Sequence, residues 1–159
     1  MKSAFIFLSL IAISIGNITA STPKPTTSVS MQSHGAATFY VKGEILGAGS
    51  TDMMVDTGSG YSTINEHTLK MLKKSGNARY KKDLVGILAN GNKMRVEVYT
   101  LSAINIGGHC WLRDVDAAVF PGKTRQILGL SALSKTSPFM FSMSPPELSL
   151  SNCSDKLQS

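Results

Sequence analysis

Hydrophobic and polar positions divide this chain into three stretches with different patterns. Ala4 to Ile15 is an almost unbroken apolar run, preceded by Lys2 and ended by Gly16 and Asn17. Ile18-Thr19-Ala20 follows as a small-residue cleavage site ahead of Ser21, which completes the order of an export signal. The run is short for a membrane span, so residues 1–20 are expected to be a removable signal peptide. The alternative is an uncleaved N-terminal anchor. Residues 21–35 are rich in Ser, Thr and Pro with almost no large apolar side chain, and are expected to be a flexible leader.

Beyond this leader the pattern becomes that of short strands. Thr38 to Leu46 carries Phe39, Tyr40, Val41, Ile45 and Leu46, and a turn-like Gly47-Ala48-Gly49-Ser50 follows. Thr51 to Asp56 is expected to pair with it as a hairpin that carries Asp56 at its far end. A second hairpin is expected from Leu84 to Ala89 and Met94 to Leu101, around Asn90-Gly91, the dipeptide best suited to a type I′ turn. Within it Met94, Val96 and Val98 alternate with Arg95, Glu97 and Tyr99, one face apolar and the other polar. Further strands are expected at Ser102 to Ile106, Cys110 to Phe120 and Phe139 to Met143.

Helical periodicity is convincing at one place. Asn65 can cap a helix, Glu66 suits its positive end, Ile64 can staple onto Leu69, and Gly76 can close it. Ser131 to Lys135 suggests one further short turn. The chain is therefore mostly β, with one short-to-medium helix in a single domain over 36–150 and a tail over 151–159.

Charge changes this picture little. The net charge is +6, with much of the excess in Lys70, Lys73, Lys74, Arg79, Lys81 and Lys82. Such a cluster can associate weakly with an anionic membrane surface through Lys70, Lys73, Lys74, Lys81 and Lys82, or can simply be a solvated face. It lacks interleaved aromatic residues, so nucleic acid is not an expected partner. Cys110 and Cys153 are the only cysteines. In an oxidising compartment such a pair can close a disulfide between the tail and a mid-chain strand, or the two can be chance thiols; both readings stand.

Candidate chemistry lies in Asp56-Thr57-Gly58-Ser59-Gly60. An apolar strand feeds straight into a carboxylate on a tight turn of small residues. Gly58 lets backbone approach closely, and Thr57 can tie the loop through its hydroxyl. A metal site is not expected: His34, His67 and His109 are scattered, and a strand turns the neighbours among His109, Cys110, Asp114 and Asp116 to opposite faces. No cofactor is expected. A serine hydrolase is disfavoured, because no Gly-x-Ser-x-Gly elbow is present.

Three features in order, Val55-Asp56-Thr57-Gly58-Ser59, Ala89-Asn90-Gly91 and Ile127-Leu128-Gly129-Leu130, give a chain that resembles the retropepsin-like aspartic proteases, the retroviral enzymes and their exported bacterial relatives. The resemblance implies a closed β-barrel of the single-lobe acid-protease type. It implies a homodimer in which each chain supplies one Asp56, with Thr57, Gly58 and Ser59 supporting the loop. Ala89, Asn90 and Gly91 would form a flap over a peptide or protein substrate. Ile127, Leu128 and Gly129 would pack beneath the catalytic loop. Ser59 stands where retroviral members usually carry Ala. A hydroxyl there is expected to bond the ionised aspartate and favour acid conditions. An interleaved terminal strand has no close counterpart, although Leu148 to Leu150 could contribute one. The alternative function is a catalytically silent peptide-binding module on the same fold. Location would be periplasmic or secreted.

Overall fold

The computed structural model describes residues 27–35, 37–87, 91 and 93–157. The expected signal peptide and the first part of the expected leader lie outside these residues. The architecture is mostly β, as anticipated. Strand β1 is Thr27–Ser30 and β2 is Gln32–Ser33; β3 (Phe39–Ile45) and β4 (Gly49–Val55) form the first hairpin. Strand β5 (Ser62–Asn65) leads into helix α1 (Glu66–Ser75). Strands β6 (Ala78–Ile87), β7 (Lys93–Ile106) and β8 (Cys110–Phe120) form a long meander. After β9 (Gln126–Leu128) come the single-turn helix α2 (Leu130–Leu133), a 3₁₀ turn, and β10 (Met140–Met143) with β11 (Pro146–Leu150).

Six strands close on themselves in the order β3-β4-β9-β5-β8-β7, with β7 returning to β3. Alternation drives this closure. Val41 and Ile45 point into the core while Lys42 faces solvent, and along β8 Cys110, Leu112, Val115 and Ala117 are buried. Gly43 sits where β3 pairs with both neighbours, opposite Thr51 on one side and Ile106 on the other. A Cβ there would lie 2.5 Å from the Asn105 carbonyl oxygen, so closure needs a residue without a side chain.

Helix α1 is specified locally. The Asn65 side chain accepts the Thr68 N–H at 2.9 Å. Gly76 takes the left-handed conformation at φ 72, and Asn77 N–H returns to the Leu72 carbonyl at 2.9 Å, a Schellman closure. Leu69 and Leu72 lie buried against the barrel.

Two expectations about the ends need correction. The segment 21–35, read as a flexible leader, contains β1, which pairs antiparallel with β11 from Thr27↔Leu150 to Ser30↔Glu147. Val29 and Met31 are buried in the core, so two apolar side chains suffice to dock a strand that composition alone leaves loose. Leu148 to Leu150, considered for an interchain strand, instead lie in the middle of a three-stranded sheet, β1-β11-β10, within one chain. The tail is anchored too: Cys110 and Cys153 form a disulfide, and Trp111 N–H donates to the Ser154 carbonyl at 2.9 Å.

Candidate active site

Asp56 follows directly on β4 and is half-buried. Its position comes from the parallel pairing of β4 with β9, where Val55 lies opposite Leu128. The Asp56 N–H extends that ladder to the Leu128 carbonyl at 3.1 Å. The loop then turns back on the carboxylate. Gly58 N–H donates to Asp56 Oδ1 at 2.9 Å, and Ser59 N–H to the Asp56 carbonyl at 3.3 Å. A Cβ on Gly58 would sit 3.2 Å from Oδ1, so this close backbone approach favours glycine.

Beneath the loop lies Gly129. A Cβ on it would fall 2.3 Å from the Tyr61 carbonyl oxygen and 2.9 Å from that of Ser59. Leu130 N–H donates to the Ser59 carbonyl at 2.8 Å, and Gly129 N–H to Ser62 Oγ at 3.2 Å. Ser131 Oγ accepts the Ser62 N–H at 2.8 Å and donates to the Asp116 carbonyl at 2.6 Å. One hydroxyl thereby joins α2 to β5 and β8. On the far side of β9, Gln126 Nε2 donates to Thr68 Oγ1 at 2.7 Å in a buried contact that fixes β9 to α1. These hydroxyl and amide contacts were not legible in the sequence, where Ser62, Ser131 and Gln126 carry no distinguishing spacing.

Ser59 behaves differently from its expected role. Its hydroxyl donates to the Tyr61 carbonyl at 2.7 Å, so its proton stabilises the loop rather than the Asp56 carboxylate. The expected acid-favouring bond is therefore absent from this geometry. The Thr57 side chain is exposed at the front of the loop.

A cavity of about 650 Å³ opens beside the loop, walled by Ser59, Gly60 and Tyr61 on one side and by Leu84, Val85 and Val96 of the β6–β7 hairpin on the other. Ala118, Phe120 and Ile127 form much of the rest. Its lining is largely apolar, while Asp56 stands outside its wall. The hairpin is longer than predicted, and its last described pair is Ile87↔Lys93. The expected turn at Asn90-Gly91 falls on the connection beyond this pair. Ala89 and Asn90 lie outside the described residues; Gly91 has φ 80.

Ion pairs hold the outside of this hairpin. Arg95 pairs with Asp83, and this hydrogen bond holds the Asp83 carboxyl below its ordinary value. Lys81, on the strand at a register shift, pairs with Asp116 at 2.5 Å. Burial alone would raise the Asp116 carboxyl, but the bonds from Lys81 and Thr100 bring it below the usual range. The basic cluster is partly spent on such contacts: Lys73 lies over the Tyr99 ring, Lys82 over the Tyr61 ring, and Lys81 is ion-paired. The disulfide occupies the end of β8 opposite the cavity-lining Ala118 and Phe120. Among the described residues, no three His, Cys, Asp or Glu side chains gather into a metal-sized cluster.

A closed single-lobe barrel with an Asp-Thr-Gly loop seated on β9 is the architecture of the retropepsin-like class. Residues 41–135, more than half of the chain, match the family described as "gag-polyprotein putative aspartyl protease", and the chain belongs to this retropepsin-like aspartic protease family. The fold is also that of a retropepsin-like aspartic protease from Rickettsia conorii, with a TM-score of 0.56 at 19% identity over 78% of this chain and 89% of that one. No curated protein matches the sequence.

Proposed function

We propose that the protein is an aspartic endopeptidase that works as a homodimer, each chain contributing Asp56. The observation that carries this reading is the half-buried Asp56 carboxylate, held by Gly58 N–H at 2.9 Å beside an apolar groove, with one such loop per chain. Peptide hydrolysis by this chemistry needs two carboxylates that share a proton, and a single-lobe chain supplies one. A second copy related by a two-fold axis completes the pair. The exposed front of the loop, with Thr57, is the surface that two such loops would bring together.

In the dimer the two Asp56 groups titrate as a coupled pair. The ionised member takes a proton from a water held between them, and that water attacks the scissile carbonyl. The protonated member donates to the carbonyl oxygen as it gains charge. The loop amides keep the pair in place without consuming either reactive oxygen fully: Gly58 N–H engages Oδ1 alone. The β6–β7 hairpin would close over the peptide and exclude water. Processing in this reading removes residues 1–20, and the mature protein acts in the periplasm or outside the cell.

The test is cleavage of a complex peptide library by the purified protein, beside Asp56→Asn, with sedimentation to read the oligomeric state. Cleavage by a dimer, lost by at least about a hundredfold in the variant, is the expected result. A folded dimer that binds peptides and cuts none at any pH would replace this reading with the silent binding module.

A further inference from the structure

The cavity beside the loop carries one feature that its apolar lining does not require. Among the described residues that line it, Arg125 alone is charged. It immediately precedes β9, on the same face as Ile127, which also lines the cavity. The segment that presents it is fixed from α1: Glu66 accepts the Gly122 N–H at 2.9 Å, and Asn65 Nδ2 donates to the Thr124 carbonyl at 2.9 Å.

Among the described residues, the hydrogen-bonding groups nearest the guanidinium are neutral, and both are at long range. Nη1 lies 3.5 Å from the Tyr40 hydroxyl and 3.6 Å from Met54 Sδ, too far for strong bonds. No carboxylate among the described residues lies within ion-pair distance of it. The remaining residues contain no Asp or Glu in their sequence. Asp52, one step back on the adjacent β4, is taken by Lys42 at 2.7 Å. Lys82, which is not itself in the lining, lies 5.6 Å from the centre of the Tyr61 ring, part of the wall. Arg125 thus lines the groove without a carboxylate of its own chain in the lining.

We infer that Arg125 makes the groove selective for peptides bearing an Asp or Glu side chain beside an apolar one. The inference rests on the peptide-cleft reading above. The apolar walls take up a hydrophobic side chain. Arg125, with five donors in a planar fork, is matched to a carboxylate that reaches the groove rim. A lysine or arginine at the same substrate position would meet like charge.

Peptide series that carry Glu, Gln or Lys at one position at a time test this with the protein, Arg125→Glu and Arg125→Gln. Circular dichroism confirms that each variant is folded. At the position that Arg125 reads, Glu should exceed Lys in kcat/KM by about five- to tenfold in the native protein. That ratio should shrink with added salt. Arg125→Gln should abolish the preference and Arg125→Glu should reverse it. Binding of the same peptides to Asp56→Asn separates the two readings. Charge-selective binding without any cleavage by the native protein keeps the role of Arg125 and removes proteolysis. Cleavage indifferent to charge at every position, or a Glu preference that survives Arg125→Glu, overturns the inference and leaves proteolysis standing. Neither cleavage nor charge-dependent binding overturns both.

Discussion

The Asp56 loop and the β6–β7 hairpin face each other across one cavity but are held by different kinds of interaction. The loop rests on partly buried backbone and hydroxyl bonds: Asp56 N–H to Leu128, Leu130 N–H to Ser59, and Ser131 bridging Ser62 to Asp116. The distal hairpin is a two-stranded ribbon braced on its outer side by Arg95 with Asp83, and Val85 at its flank is 69% exposed. Buried polar contacts tolerate no loss, whereas surface ion pairs can be made and broken cheaply. Chemistry that fixes a carboxylate to within tenths of an ångström needs the first kind. In the proposed enzyme, a cover that opens for each peptide needs the second.

Substitutions can break this contrast, and the largest effect is expected at glycine. Gly129→Ala would drive a Cβ to 2.3 Å from the Tyr61 carbonyl oxygen, against backbone on both sides. It should cost about 3 kcal/mol or prevent folding, read as a fall in Tm or loss of soluble protein. The matching change on the hairpin, Gly86→Ala, meets Val96 Cγ2 at 3.4 Å, an ordinary contact. Its Tm should stay within a degree or two, a shift of about 0.5 kcal/mol or less. Equal losses from the two changes would erase the distinction.

Ser131→Ala should have an intermediate effect. It leaves the Ser62 N–H and Asp116 carbonyl without their partner, at about 1–3 kcal/mol in denaturant unfolding. Because the floor of the loop shifts with it, cleavage should fall more than stability alone accounts for. A variant with lower Tm and unchanged kcat would show that the floor does not position the loop.

The smallest effect concerns pH. Arg95 holds the folded Asp83 carboxyl below its ordinary value, so the pair's stabilisation is complete above the unfolded pKa, about 3.9, and is lost as pH falls through the folded one. The native protein and Arg95→Gln should therefore melt at slightly different temperatures near neutrality and converge in strong acid. A difference that grows as the pH falls would reverse the sign and remove this pair as the brace of the hairpin.

Legibility in the sequence followed the range of the interactions. Helix α1 was readable because Asn65, Glu66 and Gly76 act within a turn of their own position. The Asp56 loop was readable because an apolar strand entering Asp-Thr-Gly is a local pattern. Strand β9 escaped notice because three residues, Gln126–Leu128, show no period, and their partners are more than sixty positions away in β4 and β5. Strand β1 escaped because Val29 is its single apolar residue, and its strand character comes from β11 at the other end of the chain.

The seam that closes the barrel also sets a timetable. Gly43 cannot meet Ile106 until the whole meander up to that residue is available, and Thr27 must wait for Leu150. Loop-closure entropy therefore falls due before most of the reward, and folding is expected on the millisecond-to-second scale typical of non-local β topologies. Until β11 arrives, β1 has no partner and Val29 has no complete core to enter. A ribosome or translocation channel would thus deliver nearly all of this chain before its barrel and terminal sheet could both be complete.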